Sequence, residues 1–474
     1  MNTSAVSPGR AGLFLLLTGQ MLPLIDTSIT NVALDSITLS LHTSATQLAL
    51  IVALYGVAFA VCLAMGSKLG DNLGRRRIFL WGVALFGIAS LLCGLANSVS
   101  ALLAARTLQG MGAALIVPQI LATLHVTLKG TAHARAISLY GGVGGVAFII
   151  GQMGGGWLVS ADIAGLGWRN AFFINVPICL LVLLLSRRYV PETRSEQRTR
   201  IDWQGTTALA LILCCLLFPL ALGPEMHWPW QSKAALLALF PLALWMRSSA
   251  VRQEKRGITP LVPPRLLKLP SIRFGLLIAL LFFSAWAGFM FCMALTLQAG
   301  MGMTPYQSGN SFIALGVAYF IAAWYAPKLI SRYSMRTILL TGLTIQIAGL
   351  LTLMVTLHLS GRVVGVLALA PATLLIGYGQ ALIVNSFYRI GMRDITAQDA
   401  GAGSALLSTL QQSALGLGPA LLGGIFLHLV GQSHGDYSAA LSGFLATEVV
   451  MMVALVAAAL FARRQLAPRC PTSA

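Results

Sequence analysis

Asp26 stands in LIDTSITNVAL, Leu24 to Leu34, inside an apolar run long enough to cross a bilayer. A carboxylate at that depth is costly unless it is protonated, paired or wetted by a cavity. Such a group can load a proton and release it elsewhere, or it can be a satisfied structural polar group on a helix that also offers Thr27, Thr30 and Asn31. Glu448 is the other clear mid-run acid, a candidate for the same proton work or for substrate contact. A second concentration of chemistry is GSKLGDNLGRRRIFL, Gly66 to Leu80, where one carboxylate and four cations share fifteen positions. Phe282, Trp286 and Phe289 recur at helical spacing, a stripe that stacks a lipophilic cation or simply packs against lipid. Tyr378, Gln380, Asn385, Gln411 and Gln412 are candidate polar contacts by location alone.

The elements that hold these groups follow from composition. The chain has 474 residues, 57% of them hydrophobic and 9% charged, with a mean hydropathy of +0.82. That lies well outside the soluble globular range and makes lipid the solvent. A span needs about 20 mostly apolar residues. Fourteen such runs are present, near 11–35, 47–66, 78–96, 99–123, 136–160, 170–186, 205–223, 231–246, 274–297, 308–327, 337–358, 363–386, 400–429 and 438–461. The expected class is an all-α membrane protein.

The net charge of +18 is distributed as membrane topology requires, in short clusters between apolar runs, and gives no reason to expect a nucleic-acid partner. With the N-terminus cytoplasmic, every Lys and Arg except Arg106, Arg169, Lys233 and Arg362 falls on the inner side. The eighth run is short and holds Pro241, yet omitting it would turn every later cationic loop outward. Parity therefore requires fourteen helices with both termini inside, and the first run, which lacks a small-residue cleavage site, reads as an uncleaved helix. Trp157, Trp168, Trp228 and Trp230 fall at outer ends and Trp203 at an inner end, as an interfacial belt would place them. Six of the seven cysteines lie in apolar runs and read as buried thiols; Cys470 sits in a polar tail.

A weak repeat runs through the chain. Shifting the first signature by 260 residues sets Lys68 on Lys328, Leu69 on Leu329, Arg76 on Arg336 and Ile78 on Ile338, while GQMGGG at Gly151 and GPALLGG at Gly418 lie 267 apart. Two six-helix bundles, 1–200 and 251–474, with an inserted helix pair in 201–250, account for both offsets, and duplicated halves suit a rocking transporter. No G-x-x-x-x-G-K-[ST] stretch supplies an ATP motor, and the seven histidines show no metal-ligand spacing, so neither cofactor nor metal is expected.

Four motifs give the chain its resemblance to the major facilitator superfamily, specifically its fourteen-helix drug:proton antiporters, over essentially the whole length. GSKLGDNLGRRR matches G-x-L-[GA]-D-x-x-G-R-[RK]; RTLQGMGAA, Arg106 to Ala114, matches R-x-x-Q-G-x-G-A-A; LIDTSITNVAL resembles L-D-x-T-x-x-N-V-A-L; and GQMGG approximates the antiporter G-P-x-x-G-G, extended by Gly156. Two positions depart from the pattern, Asp35 and Gln152 standing where the family has Pro. Eight glycines among residues 141 to 156, with Gly151, Gly155 and Gly156 in the motif itself, still permit close helix packing.

The resemblance implies export of small amphipathic, cationic compounds in exchange for protons by a monomer in the bacterial inner membrane. It implies that Arg106 tunes Asp26 by charge pairing or holds helices through carbonyls, that Gln109 does either job, and that Asn31 faces the cavity. Asp71 is expected to pair with Arg75 or Arg76, with Gly66, Gly70 and Gly74 shaping a latch on the inner surface. An exporter of one metabolite, a non-transporting sensor and an intramembrane enzyme are the rival readings.

Overall fold

The computed structural model describes residues 8–195, 200–223, 226–360, 364–396, 399–433 and 435–461. Among them, fourteen helices are long and apolar enough to cross a membrane, the number that charge parity requires. In order they are α1 Gly9–Leu41, α2 Thr46–Leu73, α3 Arg75–Leu95, α4 Val99–Thr127, α5 Gly130–Ser160, α6 Gly167–Tyr189 and α7 Trp203–Leu222. Then come α8 Trp230–Lys255, α9 Pro270–Gly300, α10 Pro305–Ala326, α11 Met335–Ser360, α12 Val366–Gly391, α13 Gly401–Gln432 and α14 Tyr437–Phe461. Most run several residues beyond the apolar stretches, because polar residues continue a helix past the hydrocarbon edge. Cys470, Arg198, Arg362, Arg463, Arg464, Arg469 and both chain ends lie outside the described residues.

Local signals set several boundaries. Ser44 caps α2 in a reciprocal box, accepting from the Gln47 amide at 3.3 Å while the Gln47 side chain accepts from the Ser44 amide at 2.9 Å. Thr304 and Gln307 repeat the device at the head of α10, with Pro305 in the first turn. Gly74 ends α2 and starts α3 at φ +110°, a region that disfavours a side chain. Despite Pro241, α8 is a continuous helix of 26 residues with most of its surface exposed, as lipid contact requires. Trp157, Trp203, Trp228 and Trp230 are exposed, whereas Trp168 is buried edge-on to Phe172 and lies outside any lipid belt.

Helix contacts recur at matching register along the chain. Gly110 on α4 abuts the Tyr55 carbonyl on α2, and Gly377 on α12 abuts the Leu315 carbonyl on α10. Gly151 on α5 lies on Ile25 and Ser28 of α1, and Gly418 on α13 lies on Ser284 and Ala287 of α9. The first and last six helices meet where Gly56 of α2 crosses Gly416 of α13 without room for a side chain on either. Further approaches bring Gly156 to Pro305 and Tyr306, Gly309 to Gln152, and Gly145 to Tyr319 and Phe320. The Tyr306 amide donates to Ser160 Oγ at 3.0 Å.

The pair α7 and α8 packs against this seam. Apolar Leu209, Leu213 and Leu217 of α7 join a cluster with Ala53 and Val57 of α2 and Leu417 and Ala420 of α13. Thr46 Oγ1 donates to the Ala221 carbonyl at 3.2 Å. Toward the other end Lys68 Nζ donates to the carbonyls of Arg200 and Thr259 at 3.0 and 2.9 Å. Asp202 caps α7 through the Gly205 amide at 2.7 Å and also accepts from the Leu261 amide at 2.8 Å, joining the two connecting segments.

The segment Ile150–Gly154 is a π-helix turn, a local widening of α5 where the motif has Gln152 in place of Pro. An added Cβ on Gly151 would stand 2.5 Å from Ser28 Cβ, while one on Gly154 would meet nothing within 4 Å. Gly151→Ala is therefore expected to destabilise the protein by about 1–3 kcal/mol through overpacking. Gly154→Ala should stay within about 0.5 kcal/mol of the parent. Thermal unfolding of both purified variants checks the contrast.

Candidate functional site

Asp26 sits one turn after Pro23 on α1 and is 1% exposed. Pro23 lacks an amide donor, and the carbonyl of Pro23 accepts from Thr27 Oγ1 at 2.9 Å and from the Tyr55 hydroxyl at 3.4 Å. The Asp26 carboxylate meets side chains of two other helices. Arg106 Nη1 on α4 approaches Oδ2 at 2.5 Å. Gln109, one turn further along α4, donates through Nε2 to Oδ1 at 2.6 Å. Asn175 on α6 donates through Nδ2 to the same oxygen at 3.0 Å. Ser90 on α3 accepts from Gln109 at 2.9 Å and from Asn175 at 3.4 Å, and Cys93 lies a turn away with Sγ 3.7 Å from Gln109 Oε1.

Arg106 is completely buried. Its Nε donates to the Ile51 carbonyl at 3.2 Å and its Nη1 to Gln109 Oε1 at 2.6 Å. The guanidinium lies over Tyr55 at 4.3 Å and within 5.7 Å of the Phe172 ring centre. Two polar atoms of this cluster, Arg106 Nη2 and Asn175 Oδ1, have no protein partner. A buried ion pair repays its desolvation only when geometry and extra hydrogen bonds are good, and here three donors converge on one carboxylate. Through these bonds the Asp26 carboxylate ties α1 to α4 and α6.

The resemblance pointed to Asp26, Arg106 and Gln109, and the structure brings all three together. Gln109 is wholly buried on Asp26, and Asn31, 4% exposed, bonds the Thr27 carbonyl at 3.2 Å. Glu448 joins neither group: on α14 it is 2% exposed, beside Cys292 of α9, with Oε1 unpartnered in the core of the last six helices. Asn175, Ser90, Cys93 and Tyr55 are additions that the sequence reading missed. Asn175 carried a legible signal, since an amide within the apolar run NVPICLLVLLL calls for the same explanation as Asp26.

The aromatic stripe is divided by burial: the Phe282 and Trp286 rings lie 5.9 Å apart, but Phe282 and Phe289 are each 1% exposed in the core. Trp286 is half-buried, stacks with Phe283 at 6.2 Å and lies tilted against Tyr319 of α10 at 6.0 Å. Gln380 is wholly buried with both side-chain polar atoms unpartnered, and Tyr378 packs against the cluster of Ala326, Ile338 and Leu382. Asn385 bonds its own helix at Ala381 O, 2.8 Å away, and Gln411 accepts from the Tyr388 hydroxyl. Tyr388 is 36% exposed although it stands within electrostatic reach of Tyr140 on α5 and Tyr319 on α10. Tyr140 in turn faces Gln20 of α1. These part-exposed side chains come together between the first and last six helices.

At the cation-rich end, Asp71 Oδ1 accepts from Arg75 Nη2 at 2.7 Å and from Nε at 3.2 Å. Arg76 turns instead to Glu192, whose Oε1 accepts from the Arg76 amide at 3.0 Å and whose Oε2 lies 3.7 Å from Nε. An added Cβ on Gly74 would stand 2.8 Å from Glu192 Oε1. Gly66 and Gly70 let α4 approach: Gln119 Nε2 donates to the Gly66 carbonyl at 2.8 Å, and its side chain fills the space beside Gly70. The carbonyl of Asp71 accepts from the Ser195 amide at 3.0 Å, so this cluster joins α2 and α3 to the segment after α6.

A sequence model of the Major Facilitator Superfamily matches residues 16–419. A probable actinorhodin transporter of Streptomyces coelicolor is 31% identical over 421 residues, 89% of this chain and 73% of that protein. The cephamycin export protein CmcT of Amycolatopsis lactamdurans is 31% identical over 424 residues, 89% of this chain and 85% of its own length. The multidrug resistance protein Stp of Mycobacterium tuberculosis is 30% identical over 408 residues, covering 86% and 74%. A POT family transporter in complex with a thioalcohol-conjugated peptide superposes at TM-score 0.70 over 98% of this chain and 99% of that one, at 10% identity. A D-xylose-proton symporter does so at TM-score 0.66 over 97% and 98%, at 14% identity, and these two likenesses speak for the fold. With its fourteen helices and its four motifs in place, the chain belongs to the Major Facilitator Superfamily of membrane transporters.

Proposed function

We propose that the chain is a proton-coupled antiporter that expels small amphipathic compounds of the antibiotic type across the bacterial inner membrane. The observation that carries this reading is the buried Asp26–Arg106 pair with Gln109 and Asn175 on the same carboxylate. Relatives named for actinorhodin transport, cephamycin export and multidrug resistance support export as the direction and antibiotics as the cargo class.

The bundles 1–200 and 251–474 rock about the seam at Gly56 and Gly416, and α7 and α8 ride on it. The monomer is the working unit, with the cation-rich end and both termini in the cytoplasm. Close approaches at Gly156, Gly309 and Gly145 support closure at the opposite end, and in this reading the part-exposed side chains between the halves form a cleft open to the cytoplasm. Asp26 with its full set of donors is the deprotonated form, the one that receives cargo. A proton arriving from outside loosens the donors, and its release inside restores them. Asp71 and Arg75 hold the α2–α3 turn against α4 through this cycle.

Asp26→Asn is expected to abolish pH-driven export in proteoliposomes while leaving a folded protein; undiminished flux would remove Asp26 from the mechanism. Arg106→Ala leaves the carboxylate buried without its cation and should cost about 3–5 kcal/mol of stability. The double change Asp26→Asn with Arg106→Gln should recover most of that loss without recovering transport. Asn175→Ala removes one hydrogen bond to a charged group, about 1.5–3 kcal/mol, and should slow acid-driven exchange about tenfold or more. Unfolding midpoints and initial flux rates, measured on the same preparations, test both.

A further inference from the structure

We infer that the cleft takes an uncharged, oxygen-bearing aromatic compound and discriminates against permanent cations, a substrate class that rests on the export reading and narrows it. Six side chains define the cleft: Gln20 on α1, Tyr140 on α5, Trp286 on α9, Tyr319 on α10, Tyr388 on α12 and Gln411 on α13. Three phenols and an indole offer ring faces, and phenol hydroxyls and glutamine amides offer neutral donors and acceptors.

Counter-charge is what the cleft lacks. Five of these six helices, α5, α9, α10, α12 and α13, contain no Asp or Glu. The sixth, α1, has Asp26 and Asp35. Asp26 is 1% exposed, with both oxygens already accepting from Arg106, Gln109 and Asn175. Asp35 lies beside Tyr437, at the start of α14. Glu448 is buried among the last six helices beside Cys292. Approach from the cation-rich end passes exposed Arg135, five residues before Tyr140, and exposed Arg389, adjacent to Tyr388.

A ring face attracts a cation, but a permanent cation must also shed water in a site with no carboxylate to replace it. A neutral multi-ring compound loses far less on entering. Its carbonyls accept from the Tyr140 and Tyr319 phenols and from the Gln411 amide group, whose oxygen is taken by Tyr388. The cationic cargo expected from the family resemblance therefore lacks its partner here. Separate places for proton and cargo also follow, since the cargo makes no claim on Asp26.

The test is equilibrium binding to the full-length protein in nanodiscs, comparing a dihydroxyanthraquinone with ethidium, a permanent cation of similar three-ring size. The quinone should bind. Trp286→Ala, and separately Tyr319→Phe with Tyr388→Phe, should each weaken it about tenfold, and the Tyr→Phe variants keep the rings that packing needs. Ethidium at about hundredfold excess should fail to displace it. Displacement by ethidium at comparable concentration, or quinone affinity untouched by these changes, overturns the inference. Acid-driven flux separates the two proposals: quinone binding without flux upholds the inference and sinks proton-coupled export. Ethidium export that Asp26→Asn abolishes does the reverse.

Discussion

A carboxylate and a guanidinium held away from water constrain everything around them. Asp26 and Arg106 are 1% and 0% exposed, so neither can borrow solvent when its partner moves. The protein meets that cost by bringing Gln109, Asn175, Ser90 and the Ile51 carbonyl into hydrogen-bond range, which fixes α1, α2, α3, α4 and α6 relative to one another. The close fit of α5 is part of the same solution. Gly151 and Gly155 lie on Ile25, Ser28 and Ile29, the residues flanking Asp26, and so exclude water from that side of α1.

The helix α4 carries this constraint to the surface. Arg106 and Gln109 hold its middle, and Gln119, further along, holds the Gly66 carbonyl and fills the space beside Gly70. A rearrangement of Arg106 that tilted α4 would therefore disturb the α2–α3 turn, where Arg75 is bonded to Thr193 and Asp71 to Ser195, and Gly74 lies against Glu192. The charge concentration in an otherwise apolar chain is thus in contact, through α4, with the buried pair. It is tied within the first six helices, while Arg265, paired with Glu254 and Asp399, joins the end of α8 to the start of α13.

How much of this could be read beforehand depended on the kind of signal. Helix number and class were legible, because each span must be apolar along about 20 residues and cations must fall on alternate sides. Asp26 was legible for the opposite reason, as a charge where none belongs. Asn175 and Ser90 gave weaker signals, since neutral polar side chains are tolerated in spans and only their convergence across α3 and α6 reveals a role. The stripe of Phe282, Trp286 and Phe289 was legible from its spacing, but not that Phe282 and Phe289 are covered by the core while Trp286 stays part-exposed. Trp168 misled for a related reason: position along a helix fixes depth, and packing decides whether lipid or protein covers the ring.

On the proposed reading, proton and cargo occupy distinct groups, and exchange is then not a direct displacement of one by the other on a single carboxylate. Coupling would instead run through helix position, with α1 as the shared element: Gln20 faces Tyr140, and Asp26 lies six residues further along the same helix. A ligand that biased α1 toward one arrangement would alter the fit of the Asp26 donors, and a proton that loosened those donors would act on the ligand by the same free energy, since linkage between two bound species is reciprocal. Gly151 and Gly155 of α5, packed on α1 beside Asp26, are the contacts that such a movement of α1 would have to carry along or break.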